Sequence, residues 1–228
     1  MLNAKSLLDS LVGGLSQATS GQGARGLADK AKAGWDSQSA LGKGAIAGGL
    51  LGLLLTGGGR RMLGTGLKIG GMAAIGGLAY KAYEDWKNGQ TGEATALPPP
   101  EGSAFQPADA AAADDLATRL LQAMIAAAKA DGHVTPDERA VIDGQLAGLG
   151  LGQDATALIT AELDAPLDVG RISALARNEA EATQLYAASL LVVDEQSPAE
   201  KGYLAMLAAR MNLDQGLVDR LHAEAARL

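Results

Sequence analysis

Two apolar, glycine-rich runs in the first half of the chain restrict its fold more than any other feature. The first, GAIAGGLLGLLLTGGG at 44–59, contains no charged residue, and the second, MLGTGLKIGGMAAIGGLAY at 62–80, contains only Lys68. Arg60 and Arg61 separate them. Glycine costs a helix in water about 1 kcal/mol relative to alanine, whereas small residues four apart let helices pack closely in lipid. We therefore expect a glycine-rich helical hairpin associated with a membrane.

The spacing of the small residues supports close packing between the two arms of this hairpin. Residues four apart share one face of a helix, and small side chains there let two backbones approach. The expected packing positions are Gly44, Gly48 and Gly52 in the first arm and Gly66, Gly70 and Ala74 in the second. The same faces would also support self-association of the chain.

Aromatic residues flank the hairpin at both outer ends. Tryptophan and tyrosine concentrate at membrane–water interfaces, and the expected interface residues are Trp35, Tyr80, Tyr83 and Trp86. Because both flanks lie outside the central arginine pair, both ends of the hairpin are expected on one side of the membrane. The lysines beside these flanks favour a cytoplasmic location for that side.

The length of the two runs leaves the mode of membrane association open. A helical span needs about 17 residues or more, and the first run has 16. The second run would have to place Lys68 near an interface. An inserted hairpin, a single span, and a soluble or peripheral hairpin are therefore three alternatives.

The segments around the hairpin differ from it in composition. Residues 1–43 begin with leucines at helical spacing, which predict either a short amphipathic helix or a frayed helical tail, and continue as a polar segment. The hairpin segment itself is assigned to 44–87. Residues 88–113 contain Pro98–Pro100 and an alanine run, and we expect an extended, disordered linker there.

Charge and composition exclude several classes of protein. Residues 1–100 carry 10 Lys/Arg against 6 Asp/Glu, a net of +4, and residues 101–228 carry 9 against 20, a net of −11. A strongly acidic domain is a poor partner for nucleic acid. The absence of cysteine excludes disulfides, thiolate metal sites and cysteine nucleophiles. No combination of residues predicts a catalytic acid–base pair, so we expect no enzymatic activity.

The acidic part of the chain, 114–228, has the apolar periodicity of helices throughout. Glycine, proline and asparagine interrupt the pattern at intervals of 10 to 20 residues, roughly the usual helix length. The sequence therefore predicts an all-α bundle of about seven helices in this domain.

This domain contains an internal pseudo-repeat, in which 124–151 is similar to 188–213. Each unit has a Thr/Ser-Pro-x-Glu sequence at 135–138 or 197–200, typical of the start of a helix. We expect Thr135 and Ser197 to be N-caps, each followed by proline at the first helical position and by a glutamate that completes a capping box.

The acidic residues of the two turns also suggest a cation site. If the turns lie side by side, the carboxylates of Asp131, Glu138, Asp194 and Glu200 would converge. Carboxylate oxygens are ligands that divalent cations prefer. The first turn resembles only the second half of a calcium loop, because Ala127 stands where the first carboxylate would be. Helix capping and cation binding are therefore alternative explanations of the same residues.

Several segments together resemble a known family of bacterial inner-membrane proteins. These are NAKSLLDSLVGG at 3–14, GKGAIAGGLLGLLL at 42–55, LKIGGMAAIGGLAYKAYEDW at 67–86, AAKADGHVTPDER at 127–139 and YAASLLVVDEQSPAEKGYLAMLAARMNL at 186–213. The chain resembles the YebE-like family, and its C-terminal half resembles the TerB-like domain, named for a tellurite-resistance protein. The resemblance implies membrane association, an all-α domain that is suspected of binding metal through acidic residues, and no established activity.

These observations lead to one functional expectation and one alternative. The expected function is that of a non-enzymatic accessory module in envelope or metal stress, tethered to the bacterial inner membrane. It would present its acidic domain to a protein partner in the cytoplasm. The alternative is a sensor or buffer of divalent cations that uses the paired acidic turns.

Overall fold

The computed structural model describes residues 4–13, 71–89, 98–130, 153–193 and 197–227. Within these ranges every regular element is a helix, in agreement with the all-α prediction. The eight helices are α1 (Ala4–Gly13), α2 (Gly71–Lys87), α3 (Ala110–Ala128), α4 (Gln153–Asp164), α5 (Val169–Ser173), α6 (Glu179–Leu190), α7 (Pro198–Arg210) and α8 (Gln215–Ala225). The helix expected near 136–148 lies outside these ranges, as does the rest of the first pseudo-repeat unit after residue 130.

Polar side chains determine where most of these helices begin. A short side-chain oxygen just before a helix accepts a hydrogen bond from a free N–H group of its first turn. The residues that do so are Asp109 before α3, Asp168 before α5, Asn178 before α6, Ser197 before α7 and Asp214 before α8. Pro198 occupies the first helical position of α7, where the missing N–H has no intrahelical role.

The core is built around α3 and α6, which pack against each other. Every residue of α6 from 182 to 190 is buried, so this helix is enclosed on all sides. The sides of α3 and α7 that face it contribute large buried side chains, among them Leu120, Met124, Ile125 and Tyr203. Each buried side chain of this size stabilises the fold by about 1.5–3 kcal/mol relative to exposure.

Helix α2 belongs to this same core. Its residues Met72, Ile75, Leu78 and Ala79 are buried against α6 and α8. The last ten residues of the expected second hairpin arm, 71–80, are therefore part of the helical domain. None of the helices in the described ranges has the length and apolarity needed to cross a membrane.

Helix α1 packs on α2 and α3, although 57 residues separate it from α2. Ala4 and Leu8 are fully buried in this contact. The N-terminal leucine pattern does form a helix, and packing on the domain provides the stability that an isolated ten-residue helix lacks.

The second part of the expected disordered linker is folded against the domain. Phe105 is 7% exposed, and the backbone carbonyl of Ala104 accepts a hydrogen bond of 2.8 Å from Gln184 Nε2 on α6. Gly76 on α2 permits this packing, because a Cβ there would lie 2.7 Å from the Phe105 carbonyl oxygen. Helix α3 then begins at Ala110, four residues before the expected domain boundary.

Candidate functional site

Most of the expected cation ligands lie outside the described residues. Asp131, Glu138 and Asp194 are in that part of the chain, as is the expected N-cap Thr135. Glu200 is 3% exposed in the first turn of α7, and its N–H donates a 3.4 Å hydrogen bond to Ser197 Oγ. The residues that the structure describes contain no group of three or more side chains suited to a metal ion. The paired-turn cation site therefore stays a prediction.

The expected helix-packing positions divide between described and undescribed residues. Gly44, Gly48, Gly52, Gly66 and Gly70 lie outside the described ranges, as does the interface residue Trp35. Ala74 is half-buried in α2.

The other three expected interface residues, Tyr80, Tyr83 and Trp86, pack on protein groups. The rings of Tyr80 and Tyr83 each lie 5.4 Å from that of Phe105. The hydroxyl of Tyr83 donates to Glu179 Oε2 at 3.0 Å. Trp86 lies near the end of α2 and Met72 near its start, and at a rise of 1.5 Å per residue about 21 Å of helix separates them.

Trp86 links the end of α2 to the start of α8. Its indole N–H donates to Asp214 Oδ1 at 2.9 Å, and the same oxygen accepts from the N–H of Gly216 at 2.8 Å. The Asp214 carboxylate therefore satisfies two donors at once, which fixes the direction in which α8 leaves the preceding turn.

An ion-pair network also joins α2 to α8. The ammonium group of Lys81 lies 2.6 Å from Asp85 Oδ2 and 3.1 Å from Glu224 Oε1. Burial lowers the pKa of Lys81, but the hydrogen bonds to Asp85 and Glu224 outweigh burial and raise that pKa above its ordinary value. The three side chains are at most 13% exposed. Such pairs fix the relative position of two helices.

A second buried network connects α3 to α6. The guanidinium of Arg119 lies 2.6 Å from Glu181 Oε2 and 3.0 Å from Asp115 Oδ2, and it donates to the carbonyl of Leu175 at 2.9 Å. Burial tends to raise the pKa of Glu181, but hydrogen bonds from Arg119 and from the Arg177 N–H outweigh it and lower that pKa. Glu181 is therefore an ionised structural group and offers no proton for catalysis at neutral pH.

The arrangement with the clearest functional consequence joins α1, α2 and α3. The N–H of Met72, at the start of α2, donates to Asp9 Oδ1 at 3.1 Å. The N–H of Lys5, in the first turn of α1, donates to Asp114 Oδ1 at 2.9 Å. We call these four residues the clasp. Each carboxylate satisfies a helix N-terminal N–H that has no intrahelical partner.

The clasp holds together the two ends of the glycine-rich segment 14–70. Because Asp9 lies near the end of α1 and Met72 at the start of α2, the chain leaves and returns to the domain within a short distance. The sequence shows Lys5 and Asp9 four residues apart and so predicts their ion pair, which measures 2.9 Å. It gives no signal for the contact between Asp9 and Met72, because their separation of 63 residues is set by tertiary packing.

Comparisons with known proteins find a similar protein and a matching family model. A protein of Yersinia enterocolitica, named "uncharacterized protein in ampR 5' region", is 31% identical over 111 residues, which make up 49% of this chain and 80% of that protein. No solved structure matches the chain. The sequence model of the family described as "protein of unknown function (DUF533)" matches residues 40–225. Since this match extends over most of the chain, the protein belongs to the DUF533 family.

Proposed function

We propose that this protein is a non-enzymatic interaction module tethered to the bacterial inner membrane. In this proposal the glycine-rich segment between α1 and α2 enters the membrane from the cytoplasmic side. The helical domain, assembled from α1 to α8, stays in the cytoplasm and binds a protein partner. A role in envelope or metal stress would follow from the identity of that partner.

The clasp is the observation that carries this proposal. Asp9 and Met72 are held 3.1 Å apart between Oδ1 and N, so both ends of segment 14–70 start from one folded domain. A segment anchored in this way re-emerges on the side from which it entered. The clasp therefore favours a hairpin over a single span, which would place its two ends on opposite sides.

The start of α2 also limits how deep the hairpin can reach. Because α2 begins at Gly71, the second apolar run keeps only residues 62–70 for the membrane, nine residues against the 17 or so that a span requires. The first run, 44–59, is one residue short of that limit. We therefore propose a hairpin that inserts into the cytoplasmic leaflet without crossing the bilayer.

Charge supports the display of the helical domain away from the lipid surface. Residues 101–228 carry 9 Lys/Arg against 20 Asp/Glu, a net of −11. The cytoplasmic leaflet of a bacterial membrane is negatively charged and repels such a domain. An acidic surface favours a basic partner through the rate of encounter.

Membrane extraction with charge substitutions in the first apolar run tests the tether. In the test variant Leu53 and Leu54 become aspartate, since a charge deep in the hydrocarbon region costs about 2.5–3.5 kcal/mol. In the matched control Lys201, on the exposed surface of α7, becomes aspartate, which changes the net charge of the chain by the same amount as the two leucine substitutions. After alkaline-carbonate washing we expect the wild type and the control in the membrane pellet and the Leu53/Leu54 variant in the supernatant. Removal of the wild type by the wash would refute the tether.

These substitutions change no residue of the described helices, whereas deletion of the whole run from 44 to 80 removes most of α2. Such a deletion removes Met72, Ile75 and Leu78 from the core. Release of that variant from the membrane could then result either from loss of the anchor or from unfolding of the domain. Helical circular dichroism of the soluble fraction checks that the Leu53/Leu54 variant is folded.

Cysteine labelling tests the proposed orientation, and the chain is suited to it because it contains no cysteine. A cysteine at the exposed position Ala199 reports on the helical domain. We expect an impermeant maleimide to label Ala199→Cys in inverted inner-membrane vesicles and not in intact spheroplasts. Labelling in intact spheroplasts would contradict the cytoplasmic orientation.

A further inference from the structure

A cleft of about 340 Å³ lies between the N-terminal end of α6 and the C-terminal end of α7. Its walls include the turn from Ser173 to Asn178 on one side and Arg210 to Asn212 on the other. The volume matches the lower end of the range for sites that bind small molecules. The cleft is remote from the clasp, which involves only α1, α2 and α3.

Two arginines line the cleft, although the domain around them has a net negative charge. Arg177 is paired with Asp115, at 2.8 Å between Nη1 and Oδ2. Arg210 forms no ion pair with any residue in the described ranges. Its guanidinium lies beside Gly170, where a Cβ would be 3.2 Å from Arg210 Nη1 and 3.1 Å from Asp168 Oδ1. That Asp168 oxygen accepts the N–H of Arg171 at 3.1 Å and caps α5. A planar guanidinium that is not engaged in an ion pair is suited to bidentate recognition of an oxyanion.

Asparagine side chains provide further donors beside Arg210. Asn178 accepts the Glu181 N–H through Oδ1 at 2.9 Å, so its amide NH₂ group remains as a donor. Asn212 has a positive φ of 51° at the end of α7, and its side chain also lines the cleft. The positive end of the α6 dipole, just after Asn178, adds to this potential.

The one carboxylate on the rim is engaged elsewhere. Glu179 lines the cleft, but its Oε2 accepts the hydroxyl proton of Tyr83 at 3.0 Å, on the side of α2. Asp115 is held by Arg177 and Arg119. Among the two arginines of the cleft, Arg210 is therefore the one that no ion pair within the described residues holds.

We propose that this cleft binds a small oxyanion, a carboxylate or a phosphate, through Arg210 with Asn178 and Asn212 as additional donors. This inference is independent of the proposed membrane tether, because it involves neither the clasp nor the segment 14–70.

Amide NMR spectra of the purified full-length chain provide the test. The protein is titrated in parallel with sodium phosphate, sodium succinate and, at matched ionic strength, sodium chloride. We expect the side-chain NH₂ resonances of Asn178 and Asn212 to shift to saturation with phosphate or succinate. The anion that saturates them at the lower concentration identifies the ligand as a phosphate or a carboxylate. Equal, non-saturating shifts with all three salts would overturn the proposal.

Substitutions then assign the binding to the cleft. Arg210→Ala is expected to weaken binding about tenfold or more, which is the effect of losing one charge-assisted hydrogen bond. Lys201→Ala, which removes an exposed cation elsewhere on α7, is the matched control and should leave affinity unchanged. Asn212→Gly tolerates the positive φ and should also weaken binding. Unchanged affinity in both Arg210→Ala and Asn212→Gly would refute the assignment.

Discussion

Asp9 accepts a hydrogen bond from the backbone N–H of Met72, at 3.1 Å, and thereby connects the ends of a 57-residue segment. We expect Asp9→Ala to destabilise the docked α1 by about 1 kcal/mol, the usual effect of losing a helix-capping acceptor. Amide hydrogen exchange should show faster exchange in α1 and in the first turn of α2, with the amides of α6 unchanged, because local opening does not require global unfolding.

The amide of asparagine provides the control for this substitution. Asp9→Asn keeps an acceptor for the Met72 N–H and loses only the exposed ion pair with Lys5, which contributes at most about 0.5 kcal/mol. Exchange in α1 should therefore change much less in Asp9→Asn than in Asp9→Ala. Equal exchange in the two variants would show that the ion pair, and not the contact with Met72, holds α1 in place.

Two adjacent glycines of α2 are expected to respond in opposite directions to the same substitution. A Cβ at Gly76 would lie 2.7 Å from the Phe105 carbonyl oxygen, whereas a Cβ at Gly77 meets nothing within 4 Å. Gly76→Ala should lower the free energy of unfolding by about 1–3 kcal/mol through overpacking. Gly77→Ala should raise it by up to about 1 kcal/mol through helix propensity. Urea denaturation measures both, and stabilisation by Gly76→Ala would contradict the packing of 98–109 on α2.

The sequence predicts the helices well but does not identify the surroundings of α2. A helix needs a face of small and apolar residues in two situations: when it packs against another helix in lipid, and when it packs closely against a protein backbone. The pattern from Gly71 to Tyr80 therefore cannot distinguish a membrane arm from a core helix. The structure shows that Gly76 serves contact with the Phe105 backbone, which lies 29 residues later in a segment without helical periodicity.

Long-range polar contacts are the other part that sequence analysis could not provide. Ser197 and Pro198 predict the start of α7 correctly, because an N-cap contact joins residues only three apart in the sequence, here Ser197 and Glu200. The clasp and the cleft depend on residues that only tertiary packing brings together, such as Asn178 with Arg210. The cation site at Asp131 and Asp194 remains a prediction, because both residues lie outside the described ranges.

The buried pair of Arg119 and Glu181 should be among the most sensitive positions in the domain. Their side chains are 8% and 13% exposed, at a separation of 2.6 Å between Nη1 and Oε2. Arg119→Met leaves a buried carboxylate without its main partner, and we expect it to lower the free energy of unfolding by about 3–5 kcal/mol. The double variant Arg119→Met/Glu181→Leu should recover part of this loss. Urea denaturation of the two single variants and the double variant gives the coupling.

The pH dependence of stability offers a second test of the same pair. The native pKa of Glu181 lies below the ordinary value of 4.5. Its contribution is therefore complete above pH 4.5 and is lost as the pH falls through the native pKa. In Arg119→Met only the N–H and the charge of Arg177 still oppose burial, so the pKa of Glu181 should rise relative to the wild type and acid should destabilise the protein less through this group. If the free energy of unfolding decreased equally with acid in the wild type and in Arg119→Met, this would contradict the conclusion that Arg119 lowers the pKa of Glu181.

Two buried tyrosines should differ in the effect of losing their hydroxyl groups. Tyr186 OH lies 2.9 Å from His222 Nε2, whereas Tyr203 OH has no hydrogen-bond partner among the described residues. Tyr186→Phe should lower the free energy of unfolding by about 1 kcal/mol, because it removes a buried hydrogen bond. Tyr203→Phe should leave stability unchanged or increase it, because it removes an unsatisfied polar group. A larger loss in Tyr203→Phe than in Tyr186→Phe would show that the Tyr203 hydroxyl is satisfied in solution.

Alkaline titration tests the burial of the Tyr203 hydroxyl. Burial raises the pKa of Tyr203 from 10.0 to about 12. Because the native pKa is higher than the unfolded value, Tyr203 should favour folding fully below pH 10 and lose this contribution as the pH rises toward 12. The part of the tyrosinate absorbance that appears late in the titration should be smaller in Tyr203→Phe than in the wild type. An unchanged late part in Tyr203→Phe would assign the high pKa to another tyrosine.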